Sequence, residues 1–245
     1  MRIDRTYTSR NEIKKQGKKP KPDISIFLTS GILLSDIVVA YIPKGADDYE
    51  SSKINLGNPG INNAVDGSSP YGTPPSWTKE DGWIFDGVNN YLDTGIFATT
   101  DYSVICQFDS TIRINGLKSL FGSSNTPFCF LGYAVDRGNG YSNFFTQHSA
   151  MPIPIFDKGV IGTYGLMANT NNTIFDFTPF QSLLHANFQD FGLTFLIGGS
   201  YNFDDEEFTN HPMWFSKAKI LKLAVYNKTL TQEQALNITN KILNE

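Results

Sequence analysis

The pattern of apolar and polar positions is clearest in Trp83-Ile84-Phe85-Asp86-Gly87-Val88-Asn89-Asn90-Tyr91-Leu92-Asp93-Thr94-Gly95. A period of two puts Trp83 and Phe85 on one face and Ile84 on the other. Asp86-Gly87 supplies the positive φ of a tight turn, and Tyr91-Leu92 opens a second apolar run, so the pattern predicts a β-hairpin. Further strands are predicted at Tyr102–Phe108, Ser119–Phe121, Phe128–Val135, Ser142–Thr146, Ile161–Leu166, Thr173–Phe177, Leu193–Ile197 and Ala218–Tyr226, at the intervals of a sandwich. Upstream, Ile24–Leu28 and Ile37–Ile42 read as two buried strands. Thr29-Ser30-Gly31 and Asp36 break that apolar region, which argues against a membrane anchor. Residues 43–80 are rich in Gly, Pro and Asn, and a loop of that length is expected to be functional or well packed, with Trp77 capping the end of the core. One helix is predicted from Leu230 onward, with Thr231 as N-cap.

Two segments carry a family likeness. Trp83–Gly95 resembles the FDGxxxY segment of LamG-like jelly rolls, in the concanavalin A-like lectin/glucanase superfamily. Phe195-Leu196-Ile197-Gly198-Gly199, followed by Ile220-Leu221-Lys222-Leu223-Ala224-Val225-Tyr226-Asn227-Lys228-Thr229-Leu230-Thr231, resembles that family's closing strand and helix start. Asp47, Asp48, Ser51, Asn55 and Asn58 match its D-x-S-G-x-x-N passage loosely. The resemblance implies an all-β protein: an antiparallel two-sheet β-sandwich of the concanavalin A-like jelly-roll type, with one short C-terminal helix. Residues 1–22 would form a basic N-terminal arm and residues 23–245 the jelly-roll domain. A fold alone does not give a function.

Composition agrees with a sandwich. Hydrophobic residues make up 40% of the 245, enough for a sizeable core, and the 19 Phe and 11 Tyr suit strands. Charged residues at 18% are too few for a disordered chain. The net charge of −4 is unevenly spread: residues 1–22 carry eight Lys/Arg against Asp4 and Glu12, a charge of +6, which leaves −10 on the remainder. Such an arm reads as a mobile tail or as a segment docking on an acidic partner subunit. Nucleic acid is disfavoured, because Tyr7 is the one aromatic interleaved with those cations. Cys106 reads as a buried free thiol; a disulfide with Cys129 is open but not demanded in a domain of this size.

Candidate chemistry is sparse. Glycosidases of this superfamily set two carboxylates on one strand face, and no such Glu-x-Asp-x-x-Glu spacing occurs. Asp204, Asp205, Glu206 and Glu207 form a hard-oxygen cluster for which calcium is the candidate cation, the alternative being a solvated acidic loop. His148, His185 and His211 lack zinc spacing. For sugar binding, loop aromatics beside polar residues are the candidates: Tyr133, Asp136, Arg137, Asn139 and Tyr141, and separately Tyr201 and Trp214, all of which can equally serve packing.

The resulting expectation is a non-catalytic structural or binding protein, not an enzyme. The Met1 start without a signal peptide, the basic arm and the Asn-rich composition look similar to bacteriophage virion proteins of this fold, exposed on the virion exterior as a capsid decoration, fibre or tail component. Its partners would be other virion proteins through the arm and host glycans at the loops, with homo-oligomerisation, no nucleic acid, no membrane insertion and no cofactor beyond the calcium candidate. The alternatives are a free carbohydrate-binding lectin and a glycoside hydrolase.

Overall fold

The computed structural model describes residues 22–97, 103–109, 116–125, 128–135, 141–146, 149–154, 158–162, 167–169, 174–175, 194–201, 212–213, 215–228 and 230–245. In chain order its strands are β1 (Ile37–Tyr41), β2 (Val65–Asp66), β3 (Ser76–Thr78), β4 (Gly82–Ile84), β5 (Leu92–Phe97), β6 (Ser103–Asp109), β7 (Gly116–Asn125), β8 (Phe128–Val135) and β9 (Tyr141–Thr146). They continue as β10 (Ser149–Pro154), β11 (Lys158–Gly162), β12 (Met167–Asn169), β13 (Ile174–Phe175), β14 (Thr194–Ile197), β15 (Ser200–Tyr201), β16 (Pro212–Met213) and β17 (Lys219–Tyr226). The helices are α1 (Tyr49–Ser52) and α2 (Gln232–Leu243).

Two sheets result. The first runs β13-β12-β11-β6-β17-β4-β3, and β1 joins it on β17. The second runs β10-β9-β8-β7-β14-β5-β2, with β15 and β16 added beside β7. The paired strands are antiparallel except for β15 on β7, where Tyr201 lies opposite Ser124. This is the expected all-β sandwich with a short C-terminal helix.

Apolar alternation explains the layering. Val39, Tyr41, Trp83, Val104, Cys106, Phe108, Ile220, Leu223 and Val225 of the first sheet meet Leu92, Ile96, Leu120, Phe121, Phe195 and Ile197 of the second in one buried cluster. Alternate residues of the first sheet (Ile37, Ala40, Ile105, Ala224 and Tyr226) point the other way and form a second cluster with Leu230, Ala235, Ile238 and Ile242 around α2. The helix therefore roofs the outer side of the first sheet. Thr231 caps it as expected, its hydroxyl accepting from Gln234 N while the Gln234 side chain accepts from Thr231 N.

Two sequence expectations change. Ile24–Phe27 is a 3₁₀ turn, not a strand, because Asp23 caps it and Ile26 and Phe27 pack beneath α2. The segment Trp83–Gly95 is not a hairpin. Its turn chemistry is present: Asp86 Oδ1 accepts from Val88 N and Asn89 N, and Gly87 has φ +81°. The flanking strands, however, belong to different sheets: β4 pairs with β3 and β17, and β5 with β14 and β2. Trp83, Phe85 and Leu92 gain more apolar burial facing each other across the sandwich than side by side.

The long region 43–80 is packed, not empty. Asn55, fully buried, organises it: Oδ1 accepts from Ala40 N and Gly57 N, while Nδ2 donates to the Val38 and Ile61 carbonyls. Trp77 is half-buried and donates to Pro43 O at 2.9 Å. Cys106 is a free, buried thiol, and burial pushes its pKa up. On the helix side, Lys228 Nζ lies 2.8 Å from Asp36 Oδ2, and that hydrogen bond, with one from Leu33 N, holds the Asp36 carboxyl below the usual range. Among the described residues no helix is long and apolar enough to cross a membrane.

Asn55→Ala removes the side-chain partner of four backbone groups, that of Ala40 N being buried. Its expected cost is about 2–4 kcal/mol in urea unfolding with an unchanged m-value; a loss under about 0.5 kcal/mol would show that the loop does not depend on this side chain.

Candidate functional site

The two sheets differ in what lies outside them. The first is covered by α2; on the outer side of the second, Leu196 is fully buried while Phe97 and Val65 are exposed. Strand β5 shows the alternation there: Leu92, Thr94 and Ile96 are buried, Asp93 is half-buried, and Gly95 and Phe97 are exposed. Phe97 is 62% exposed, a large value for an aromatic residue in a sheet. Val65, opposite Asp93 on the neighbouring strand, is equally exposed at 62%.

Other elements converge on this side. Thr194 lies opposite Phe97, and Leu196 opposite Asp93. After β14 the chain reverses at Gly198, φ +82°, and brings Tyr201 back against β7. The Tyr201 phenol shares a hydrogen bond with the Thr194 side chain and feels the Asp93 carboxylate and the Tyr91 ring. Burial pushes its pKa up, and the Asp93 charge pushes the same way against the Thr194 bond. Burial raises the pKa of the Tyr41 phenol, and the Asp93 charge adds to that shift. Asp93 Oδ1 is held by Gly95 N at 2.8 Å. Tyr91 stacks on Phe215, ring centroids 6.3 Å apart.

At the edge of this sheet sits a satisfied ionic cluster. Lys53 Nζ is 3.0 Å from both Glu50 Oε1 and Asp66 Oδ2 and 4.5 Å from the Tyr49 ring centroid, and the Tyr49 hydroxyl donates to Asp66 Oδ1. Burial alone would lower the Lys53 pKa; the two carboxylate bonds outweigh it and raise it. Every group there has a partner, so its role is to clamp α1 to β2.

Of the residues singled out from the sequence, Tyr201 lies in this site. Tyr133 and Tyr141 belong to β8 and β9 of the same sheet, with Tyr133 opposite Phe144 and Tyr141 opposite Pro154. Asp136, Arg137, Asn139 and Trp214 lie outside the described residues, as do Asp204, Asp205, Glu206 and Glu207. Asp93, Thr194 and Phe97 were missed. They sit inside strands, and the search favoured loops; their signal was a polar or aromatic residue at outward positions of β5 and β14.

No protein-family model matches the sequence, and no curated protein matches it. Solved structures share the fold. Trypanosoma rangeli sialidase in complex with 2,3-difluorosialic acid, a covalent intermediate, superposes with a TM-score of 0.54 at 13% identity, over 86% of this chain and 33% of that one. A mutant of Trypanosoma rangeli sialidase displaying trans-sialidase activity gives 0.55 at 13% identity, over 86% of this chain and 34% of that one. The chain thus spans about a third of the length of those proteins, and at this identity the shared property is the fold.

These neighbours correct two expectations. The reading as a non-catalytic bacteriophage virion component has no support among them, and the exclusion of an enzyme does not stand, because these structures of like fold are of sialidases. The physical reason is plain. A search for paired carboxylates covers one kind of glycoside chemistry, whereas sialidases use a tyrosine nucleophile.

The site depends on the reversal at Gly198. A Cβ there would collide with the Phe85 ring, and φ +82° is strained for any other residue. Gly198→Ala is expected to cost about 2–4 kcal/mol in thermal or urea unfolding; wild-type stability in that variant would contradict the described packing.

Proposed function

We propose that this chain is a carbohydrate-handling β-sandwich of the concanavalin A-like kind, which engages glycans on the open side of its second sheet and serves glycoside hydrolysis. The observation that carries this reading is Phe97, an exposed ring on the same strand as Asp93, with Tyr201 and Thr194 alongside. A pyranose has an apolar face of C–H groups and a rim of hydroxyls. The ring suits the first, and a carboxylate, a phenol and a hydroxyl suit the second. The likeness in fold to sialidases supports glycans as the ligand class.

The hydrolytic part of this reading is placed at β14 and its neighbours, where Thr194 lies opposite Phe97, Leu196 lies opposite Asp93, and the chain returns to put Tyr201 beside β7. A buried phenol is a poor nucleophile unless a base takes its proton. Asp93 is the candidate base, and Asp93 and Tyr201 are the residues this reading assigns.

The test joins binding and turnover. A glycan array should retain the wild-type protein, and Phe97→Ala should weaken the best interaction about tenfold with little change in stability. Fluorogenic glycosides, sialosides included, report hydrolysis; there Tyr201→Phe should abolish turnover and leave retention in place. Absence of glycan retention by the wild type would remove the reading. Retention without turnover would remove the assignment of Tyr201 and Asp93 as reacting groups.

A further inference from the structure

Strand β5 has an irregularity between Asp93 and Phe97. Leu196 of β14 stands opposite Asp93 and Thr194 opposite Phe97, so Phe195 alone faces Thr94, Gly95 and Ile96. The extra residues alter the course of the strand but not its burial pattern: Leu92, Thr94 and Ile96 are buried, and Phe97 is exposed. A bulge of this kind bends a strand and re-aims the side chain that follows it.

The bulge is locked by its own side chains. Thr94 is fully buried; its hydroxyl donates to Phe195 O at 2.8 Å and accepts from Ile96 N at 3.2 Å. Asp93 Oδ1 accepts from Gly95 N at 2.8 Å. Gly95 takes φ +67°, a left-handed conformation that glycine adopts at little cost. Ile96 then joins the same buried cluster as Phe195. One hydroxyl, that of Thr94, thus ties the bulge both to its own backbone and to β14, directly before the exposed ring of Phe97. Recognition groups work when packing and hydrogen bonds behind them hold them to within about 0.5 Å of their working position.

We propose that Thr94 is the positioning residue of the glycan face: buried and out of reach of ligand, it holds the bulge that sets where the Phe97 ring meets a sugar. The inference rests on the proposed glycan site and adds what keeps that site in shape.

The experiment uses the full chain and two variants. Thr94→Val keeps the outline of the side chain and removes the hydroxyl; Thr94→Ser keeps the hydroxyl. The probe is the array glycan that the wild type retains best. Thr94→Val should bind it about tenfold more weakly, and Thr94→Ser should recover the affinity to within about threefold of wild type. The loss should act through the ring: in a Phe97→Ala background, Thr94→Val should add less than about twofold, because coupled positions are not additive. Amide exchange reads the lock without any glycan. The Ile96 N–H should exchange slowly in the wild type and at least about tenfold faster in Thr94→Val. Wild-type affinity in Thr94→Val, or a loss that persists in full without the Phe97 ring, would overturn the positioning role while leaving the glycan site in place. So would a Thr94→Ser protein that melts like the wild type yet binds as weakly as Thr94→Val. Fast exchange of the Ile96 amide in the wild type would overturn the lock, whether or not Thr94→Val folds. A wild type that retains no glycan would overturn the glycan site and this role with it, even with the lock present in exchange.

Discussion

The sandwich depends on one passage of chain between its sheets. From Trp83 in β4 to Leu92 in β5, the backbone leaves one sheet and enters the other, and Phe85 sits between them with 1% exposure. Trp83 stays in the core and donates its indole N–H to Ser52 Oγ at 2.8 Å, which anchors the long preceding loop to the same point. Phe85 also explains Gly198, whose missing side chain leaves room for the ring. Burial of this stretch thus ties together the first sheet, the second sheet, the ordered loop and the reversal that carries Tyr201.

That arrangement produces two unlike surfaces. The first sheet spends its outer apolar residues on α2 and the 3₁₀ turn, where Tyr226 donates to Phe27 O, Gln234 to Ser30 O and Lys228 to Gly31 O. Its outer side is closed by packing and by hydrogen bonds. The second sheet has a different outer side: Leu196 is fully buried there, Tyr91 stacks on Phe215, and Val65 and Phe97 on β2 and β5 are exposed.

How much of this was legible in the sequence follows from the range of each signal. Alternation is local, so β1, β8, β14 and β17 emerged within a residue or two of their observed bounds, and the capping box of α2 could be read from Thr231. Partner choice is not local. Trp83–Gly95 carries sound turn chemistry at Asp86-Gly87, yet its strands diverge, because long-range burial outweighs a two-residue turn. Asn55 was noted as part of a loose motif, and its four backbone bonds depend on Val38, Ala40 and Ile61 arriving from elsewhere. Asp93 looked like any polar strand residue; only the return of the chain at Gly198 brings Tyr201 to β7, the strand that β14 separates from β5. The reading as a non-enzyme is overturned by the fold shared with sialidases, a likeness at 13% identity that no local pattern carries.

The central claim is that ligands meet the open side of the second sheet. Hydrogen–deuterium exchange of the full chain, with and without a saturating concentration of the glycan best retained on the array, tests it most directly. Protection is expected at residues 92–97 and 194–201, with residues 24–36 and 230–245 unchanged. Protection confined to the helix-covered side, with β5 and β14 unaffected, would contradict it.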